Sequence, residues 1–267
     1  MTTKAAIQLL QAARPLVFGM VHVPALPGTP LNRLPIAEIS KRVVEETRVY
    51  ADCRNMHDLP YCRAPQVGPE IVAAMTRVCA DARSELVASK RRDDLLLGVQ
   101  VLAAANEAAL SLDFIRAESF VFAHVADEGW LDGCAGPLLR FRRSIRAEHV
   151  AVFADIKKKH SAHAITADVS VGETAHAAEF FLADGVIVTG NATGAPAEPI
   201  DLKEVRSAVR LPVLVGSGVT AENCADFRAA HGFIVGTHFK RDGRWTNELD
   251  AERIETFVRR VRELKRE

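Results

Sequence analysis

Titratable side chains cluster directly after one apolar segment in the middle of the chain. The segment Val150–Ile156 has the composition of a buried strand and contains Asp155, and three consecutive lysines and a histidine follow it. An aspartate, a lysine and a histidine at one strand end could hold a phosphate, transfer a proton or form a Schiff base. Because side chains alternate along a strand, Asp155, Lys157 and Lys159 are expected on one face and Lys158 on the other. His160 completes this candidate acid–base group.

A second candidate site lies near the C-terminus, where glycines follow two short apolar segments. These segments are Pro212–Gly218 (PVLVGSG) and Gly232–Phe239 (GFIVGTHF). Glycine lets the backbone turn sharply after a strand and brings bare N–H groups close to an anion. The predicted phosphate-binding residues are Gly216, Ser217, Gly218, Gly236 and Thr237. Thr220 is predicted to cap a following helix, whose dipole would favour an anion there.

Two further loops offer candidates for acid–base chemistry. His22 heads a proline-rich loop after the first predicted strand, and Glu118 ends the strand segment Asp113–Glu118. That segment also contains Arg116, and buried charges are normally paired. An internal pair of Arg116 with a glutamate or aspartate therefore competes with a catalytic role for Glu118.

The remaining candidates are polar or small residues that would contact the substrate. Asn55 and Asp58 precede and follow a histidine after the second predicted strand, and we predict that they orient the substrate. Gly190 and Gly194 belong to a Gly-x-x-x-Gly loop, which is often only a turn. Its place beside Gly216–Gly218 in the predicted fold favours a ligand contact.

Strand-like segments alternate with helical patterns along the whole chain, which predicts parallel βαβ units. The predicted strands are Leu16–His22, Leu95–Leu102, Asp113–Glu118, Val150–Ile156, Asp184–Gly190, Val213–Gly216 and Phe233–Gly236. We predict one α/β domain over residues 1–267, a (β/α)8 barrel of the triosephosphate isomerase type, with the candidate residues at the C-terminal ends of its strands. Only the second strand lacks an apolar run. It is expected near Ala51–Met56, where it would be short, irregular or missing.

Composition excludes several function classes. Lys plus Arg and Asp plus Glu both number 34, so the formal net charge is zero. This balance argues against nucleic-acid binding, and no apolar run is long enough to insert into a membrane. Five scattered cysteines without a CxxC pair indicate reduced thiols in the cytoplasm. The acid-free segment 1–14 leaves a mitochondrial location as the alternative. No residue spacing predicts a metal site, and no cofactor is identified.

Seven ordered motifs resemble the BtpA family of ribulose-phosphate-type barrels, which includes the bacterial SgcQ proteins. The motifs are GMVHVPALPG (Gly19–Gly28), NMHDLPY (Asn55–Tyr61), FIRAE (Phe114–Glu118), DIKKKHS (Asp155–Ser161), DGVIVTGNATG (Asp184–Gly194), VGSGVTAEN (Val215–Asn223) and IVGTHFKRDG (Ile234–Gly243). Family members usually have an apolar strand ending in Glu-Asn before the second motif, whereas this chain has Arg54 before Asn55. The resemblance implies a link to photosystem I accumulation or to sugar-phosphate operons, without a defined reaction.

Three functions follow from these observations. The first is an enzyme that acts on a phosphorylated sugar or nucleoside, with the phosphate on the glycine loops. The second is a non-catalytic assembly or stability factor, although no exposed apolar stripe in the sequence marks a partner surface. The third is a degenerate barrel that binds a ligand without turnover. Each is compatible with a homo-oligomer.

Overall fold

The structure, a computed structural model, describes residues 5–49, 52–54, 56–63, 66–88, 95–102, 112–190 and 196–265. Its strands are β1 (Leu16–Gly19), β2 (Val21–His22), β3 (Asp52–Arg54), β4 (Gly98–Gln100), β5 (Phe114–Ala117), β6 (His124–Ala126), β7 (Gly129–Leu131), β8 (Ala151–Ile156), β9 (Ser161–Ala162), β10 (Gly185–Thr189), β11 (Val213–Gly216) and β12 (Gly232–Val235). Its α-helices are α1 (Ala5–Leu10), α2 (Ile36–Thr47), α3 (Pro69–Ala88), α4 (Ala135–Ser144), α5 (Val171–Phe180), α6 (Pro199–Ala208) and α7 (Ala251–Glu263).

Nine of these strands form one parallel sheet in the order β1-β12-β11-β10-β8-β5-β4-β3-β2. The two end strands, β1 and β2, are separated along the chain only by Met20, so together they are one barrel strand. The first strand therefore pairs with the second barrel strand on one side and with the eighth on the other, which closes the sheet. The predicted α/β barrel is confirmed.

The second barrel strand, β3, is present but only three residues long. It pairs with β2 at Val21↔Cys53 and His22↔Arg54, and with β4 over its full length. The prediction of a short strand is confirmed, and the alternative of a missing strand is wrong. Two residue pairs with β2 and three with β4 suffice to join these strands, so neither neighbour is left as an open edge.

Side-chain alternation fills the barrel interior in layers. Five large apolar side chains from neighbouring strands pack there, namely those of Phe18, Phe114, Phe153, Leu214 and Ile234. Ala6 and Leu10 of α1 belong to the same buried cluster, so this helix packs against the end of the barrel where the strands begin. Above the apolar layers the inward residues become polar, with Arg116 on β5 and Asp155 on β8.

The long segment Phe120–Gly133 between β5 and α4 contains an antiparallel hairpin. Strands β6 and β7 pair with each other, and β6 also pairs with β9, which follows the lysine run. This small sheet therefore joins the loop after β5 to the loop after β8.

Side-chain hydrogen bonds cap the N-terminal ends of two outer helices. Ser170 and Glu173 form a reciprocal capping box at the start of α5, and the Asp250 side chain accepts from the Arg253 N–H at the start of α7. Among the described residues, no helix combines the length and apolarity that crossing a bilayer requires.

Candidate functional site

A cavity of about 630 Å³ opens at the C-terminal ends of the barrel strands. Its basic lining residues are Arg116, Lys159, Arg244, Arg253, His22 and His238. Among the described residues that line it, none is an aspartate or a glutamate. In a chain whose formal net charge is zero, the lysine and the arginines among them give the cavity an excess of positive charge, which favours an anionic ligand.

The loop after β11 forms one wall of this cavity. Ser217 and Gly218 both adopt positive φ, 74° and 62°, which reverses the chain directly after the strand. Asn223 holds the turn, because its Nδ2 donates to the Gly218 carbonyl at 2.9 Å and its Oδ1 accepts from the Thr220 N–H at 2.8 Å. The polar loop is thereby fixed without any ligand.

The loop after β12 contributes the adjacent wall, where Gly236 and His22 are in close contact. A Cβ atom on Gly236 would lie 3.0 Å from His22 Nε2. Any larger residue at position 236 would therefore push the His22 ring out of its present position. The Nδ1 atom of His22 lies 3.2 Å from the Trp245 carbonyl oxygen, which can only accept a hydrogen bond. In the neutral imidazole the proton is therefore on Nδ1, and Nε2 is the acceptor.

Four backbone N–H groups of these two loops are available to bind an anion. Among the hydrogen bonds of the described residues, none uses the N–H groups of Gly218, Val219, Thr237 or His238. All four residues line the cavity. Backbone N–H groups in such a concavity bind phosphate oxygens well, because each donates one hydrogen bond without a competing protein acceptor.

Lys159 connects the lysine run to this wall. Its Nζ donates to Ser217 Oγ at 2.7 Å, although the two residues are 58 positions apart in the sequence. This contact places a lysine ammonium beside the turn at Ser217 and Gly218. A phosphate bound there would contact both a cation and backbone donors.

The helix predicted after Thr220 is wrong. A four-residue 3₁₀ helix, Cys224–Phe227, stands there instead, and its N-cap is Asn223. The Thr220 hydroxyl still accepts weakly from the Glu222 and Asn223 N–H groups, at 3.3 and 3.4 Å. So short a helix has almost no macrodipole, and we therefore assign anion binding to the loop amides rather than to a helix end.

On the opposite side of the mouth, charged residues are paired with one another. Arg116 Nε contacts both carboxylate oxygens of Asp155, at 3.0 and 3.1 Å, and the pair is almost fully buried. The expected internal Arg–Asp pair is confirmed. The Asp155 carboxylate is consequently held in a salt bridge at the upper layer of the barrel interior.

Lys158 forms a second buried charge cluster with two glutamates. Its Nζ lies 3.5 Å from Glu118 Oε2 and 3.3 Å from Glu128 Oε1. Glu118 Oε1 also accepts from Gln100 Nε2 at 2.9 Å. The Lys158 Nζ is engaged by these two ion pairs, which disfavours Schiff-base chemistry at this residue.

The alternation predicted for the lysine run does not continue past Ile156, where β8 ends. Lys157 adopts a φ of 44°, so the chain leaves the strand direction there. Its Nζ donates to the Thr166 carbonyl at 3.0 Å, while Lys158 turns inward and is buried. Lys157 thus lies apart from the cavity that Lys159 lines.

His160 is exposed and lines a small pocket of about 40 Å³ beside the main cavity. The pocket is also lined by Glu118 and Asp155, and it shares Arg116 and Lys159 with the main cavity. The candidate acid–base residues other than Lys157 therefore meet at one mouth with His22.

Two histidines pack behind the Lys158 cluster. The ring centroids of His124 and His163 are 5.1 Å apart, and His163 Nε2 contacts the Lys158 carbonyl at 2.9 Å. Burial, and after it the nearby charge of Lys158, lower the pKa of His124 to about 4. His124 is therefore neutral at neutral pH.

The other predicted substrate residues are less closely tied to the cavity. Gly216 lies inside the sheet, where it pairs with Thr189 and Ile234, and Gly190 follows the end of β10. Asp58 accepts from the Leu26 N–H at 2.7 Å and so holds the loop after β2. Asn55 and Gly194 lie outside the described residues.

Sequence reasoning missed the contribution of the segment after β12. Arg244, Trp245 and Thr246 line the main cavity, yet they follow the glycine motif by several residues and carry no strand-end signal. The burial of Lys158 was missed as well, because a run of lysines ordinarily indicates a solvated surface. Among the described residues, no group of three or more His, Cys, Asp or Glu side chains could hold a metal ion.

Comparisons with known proteins agree on the family and the fold. The BtpA family model matches residues 13–263. An uncharacterized mitochondrial protein of Caenorhabditis elegans is 52% identical, with 97% of each chain covered. The photosystem I biogenesis protein BtpA of a Synechocystis strain is 30% identical, with 96% of this chain and 91% of the relative covered.

Among solved structures, a thiamine phosphate pyrophosphorylase from Pyrococcus furiosus is similar in fold, with a TM-score of 0.56. The alignment covers 94% of this chain and 97% of the other at 14% identity. Such low identity supports a shared barrel fold and no more.

Proposed function

The chain belongs to the BtpA family, and from the cavity at its barrel mouth we propose that it binds a phosphorylated small molecule and acts on it there. The observation that carries the proposal is the set of four backbone N–H groups, at Gly218, Val219, Thr237 and His238, that line a cationic cavity and have no acceptor in the described chain. Unused donors in a concave wall favour an anion with several oxygens.

The lysine beside these donors supports the same assignment. Lys159 reaches the turn at Ser217 and adds a positive charge, while Arg244 adds a second one on the exposed side of the cavity. Phosphate would accept hydrogen bonds from both loops at once. The name of the Pyrococcus furiosus neighbour also refers to a phosphate compound.

Residues beside the phosphate position could perform acid–base chemistry. The Nε2 atom of His22 is the acceptor of the neutral ring, Lys159 lies beside the turn at Ser217, and His160 lines the small adjoining pocket. Glu118 and Asp155 are held by Lys158 and Arg116, so we assign them the task of positioning those basic groups.

A thermal-shift panel of sugar and nucleoside phosphates, each beside its dephosphorylated form, tests the proposal. Ligand that binds only the folded state stabilises it by RT ln(1 + [L]/Kd), so weak binding is detectable at high ligand concentration. We expect the phosphorylated members to raise the melting temperature and their dephosphorylated partners to have little effect. Equal shifts within every pair would contradict a phosphate site.

A non-catalytic assembly factor is the second candidate, and exposed apolar residues favour it. Phe141, Ile145, Phe180, Phe181 and Leu182 are all exposed, with Phe180 at 76% and Leu182 at 69%. They lie at or just after the C-terminal ends of α4 and α5, and the Arg142–Asp184 salt bridge of 2.9 Å joins α4 to the turn after α5. Large exposed apolar clusters are typical of protein contacts, and this one lies at the end of the barrel opposite the mouth.

The simplest partner at this surface is a second copy of the chain. Light scattering on the wild type and on a Phe180→Glu, Leu182→Glu double variant tests this. We expect a dimer that the two substitutions dissociate, with unchanged binding at the mouth. A monomeric wild type would contradict the self-association proposal.

We also propose a cytoplasmic location, with mitochondria as the alternative that the name of the Caenorhabditis elegans relative supports. In this fold, Ala6 and Leu10 pack into the barrel interior. A chain shortened to residue 15 would expose that apolar end. Cell fractionation with an antibody against the N-terminal segment distinguishes the two locations.

A further inference from the structure

Besides its cationic groups and backbone donors, the main cavity has several apolar lining residues. Its apolar lining residues are Met20, Met56, Val219, Ile234, Val235 and Trp245. Among the described lining residues there is no side-chain carboxylate or amide, which are the groups that bind sugar hydroxyls most effectively. At about 630 Å³ the cavity also exceeds what a phosphate group alone would fill.

Trp245 is the only aromatic residue of Phe, Tyr or Trp type among the described lining residues. It belongs to a loop whose ends are joined by a bridge between Lys240 and Leu249. Its indole packs against the His57 ring at a centroid distance of 4.7 Å and meets the His22 ring edge-on at 6.1 Å. These contacts, together with the hydrogen bond from His22 to its carbonyl oxygen, hold the indole in place at the cavity wall.

A second cavity, of about 830 Å³, is also lined by this tryptophan. It is lined by α2 and the segment that carries Trp245, and its acidic residues are Glu38, Glu45, Glu46 and Glu248. Four glutamates disfavour a phosphate there despite the basic residues beside them. Trp245 therefore lines both a cavity suited to an anion and one that is not, and this difference favours a bound molecule with its phosphate towards Gly218 and Thr237.

We propose that the ligand is a compound of the nucleoside monophosphate type, whose planar heteroaromatic ring packs on Trp245. A sugar phosphate without such a ring is not the expected ligand. The inference rests on the proposed phosphate site and specifies the remainder of its ligand. Stacking on an aromatic side chain is tolerant of ring identity, so purine and pyrimidine nucleotides are both expected to bind.

Calorimetric titration of AMP, adenosine and ribose 5-phosphate tests the two parts of the site separately. The proteins are the wild type, Trp245→Leu and Trp245→Phe. We expect AMP to bind about fivefold or more tightly than ribose 5-phosphate, which corresponds to the lower end of base stacking on an aromatic ring. Trp245→Leu should remove that difference and leave the affinity for ribose 5-phosphate unchanged, whereas Trp245→Phe should retain it. Unchanged ribose 5-phosphate binding in Trp245→Leu also shows that this variant is folded.

The outcomes separate the two proposals. If AMP and ribose 5-phosphate bind the wild type equally, and both bind more tightly than adenosine, the phosphate site stands and the ring proposal is overturned. If AMP and adenosine bind equally, the phosphate proposal fails, and the effect of Trp245→Leu still decides the ring proposal. If none of the three compounds binds, both are overturned.

Tryptophan fluorescence gives an independent readout, because the chain contains only two tryptophans. The other, Trp130, lies on the β6–β7 hairpin, where its Nε1 donates to Asp132 at 2.9 Å. In a Trp130→Phe background the whole signal comes from Trp245. We expect AMP to quench it and ribose 5-phosphate to have little effect, and equal quenching by the two compounds would overturn the ring proposal.

Discussion

The two sides of the barrel mouth use their charges differently. On the side formed by residues 217–220 and 236–238, here called the anion side, the N–H groups of Gly218, Val219, Thr237 and His238 have no acceptor among the described residues, and Lys159 reaches in from the neighbouring loop. On the side formed by Arg116, Glu118, Asp155 and Lys158, here called the ion-pair side, every one of these charges has an opposite charge within 3.5 Å. The number of charged residues alone therefore does not identify a binding site, because charges that are already paired with each other attract a ligand only weakly.

The largest expected effect comes from breaking the ion-pair side. Arg116→Met leaves Asp155 buried without its guanidinium partner, which should destabilise the folded state by about 3–5 kcal/mol. Urea unfolding measures the change. The double variant Arg116→Met, Asp155→Leu removes both charges and should recover much of the loss. A single variant as stable as the wild type would show that this pair does not hold the upper barrel layer.

On the anion side, Gly218→Val should weaken phosphate-ligand binding by about 2–4 kcal/mol. The valine resists the positive φ and blocks close approach to the loop amides, whose hydrogen bonds to a charged group contribute about 1.5–3 kcal/mol each. Calorimetry with ribose 5-phosphate measures the loss. Gly129→Val is the matched control, because Gly129 also has positive φ (103°), and an added Cβ there would meet no atom within 4 Å. Equal losses in both variants would mean that backbone strain, and not the phosphate contact, is responsible.

The pH dependence of the free energy of unfolding tests the ion-pair side through His124, which packs behind it. Burial lowers its pKa from 6.5 to about 4, so the unfolded chain binds this proton more readily than the folded one. The folded state should therefore lose stability as the pH falls from about 6.5 towards 4, by roughly 3 kcal/mol in total from this residue. Unfolding of wild type and His124→Phe over that range measures it. A similar decline in both proteins would assign the effect to other groups.

The smallest expected effect concerns the lysine that joins the two sides. Lys159→Met removes a cation and its contact with Ser217, and should weaken ribose 5-phosphate binding by about 1.5–3 kcal/mol. Lys157→Met is the control, because Lys157 Nζ contacts the Thr166 carbonyl and lies away from the cavity. If Lys157→Met weakened binding as much as Lys159→Met does, the proposed difference between the two lysines would be wrong.

Much of the fold could be predicted from local pattern. Apolar runs bounded by glycine or charged residues marked seven strands, because a strand covered on both faces needs a continuous apolar run. The second strand could be predicted only as short, irregular or missing, because β3 has no apolar run. It is held in the sheet by its backbone ladders with β2 and β4. The helix after Thr220 was wrong because a capping residue predicts a helix start and says little about the length that follows.

The sequence by itself determined the barrel and the position of its glycine loops, because both depend on residue type and spacing within short segments. Only the tertiary structure decided which charges meet. Arg116 reaches Asp155 across 39 positions, and Lys159 reaches Ser217 across 58. Lys158 turns inward because β8 ends at Ile156 and Lys157 then takes positive φ, which ends the alternation. Trp245 enters the cavity because its loop folds back over the mouth, and no local pattern encodes that contact.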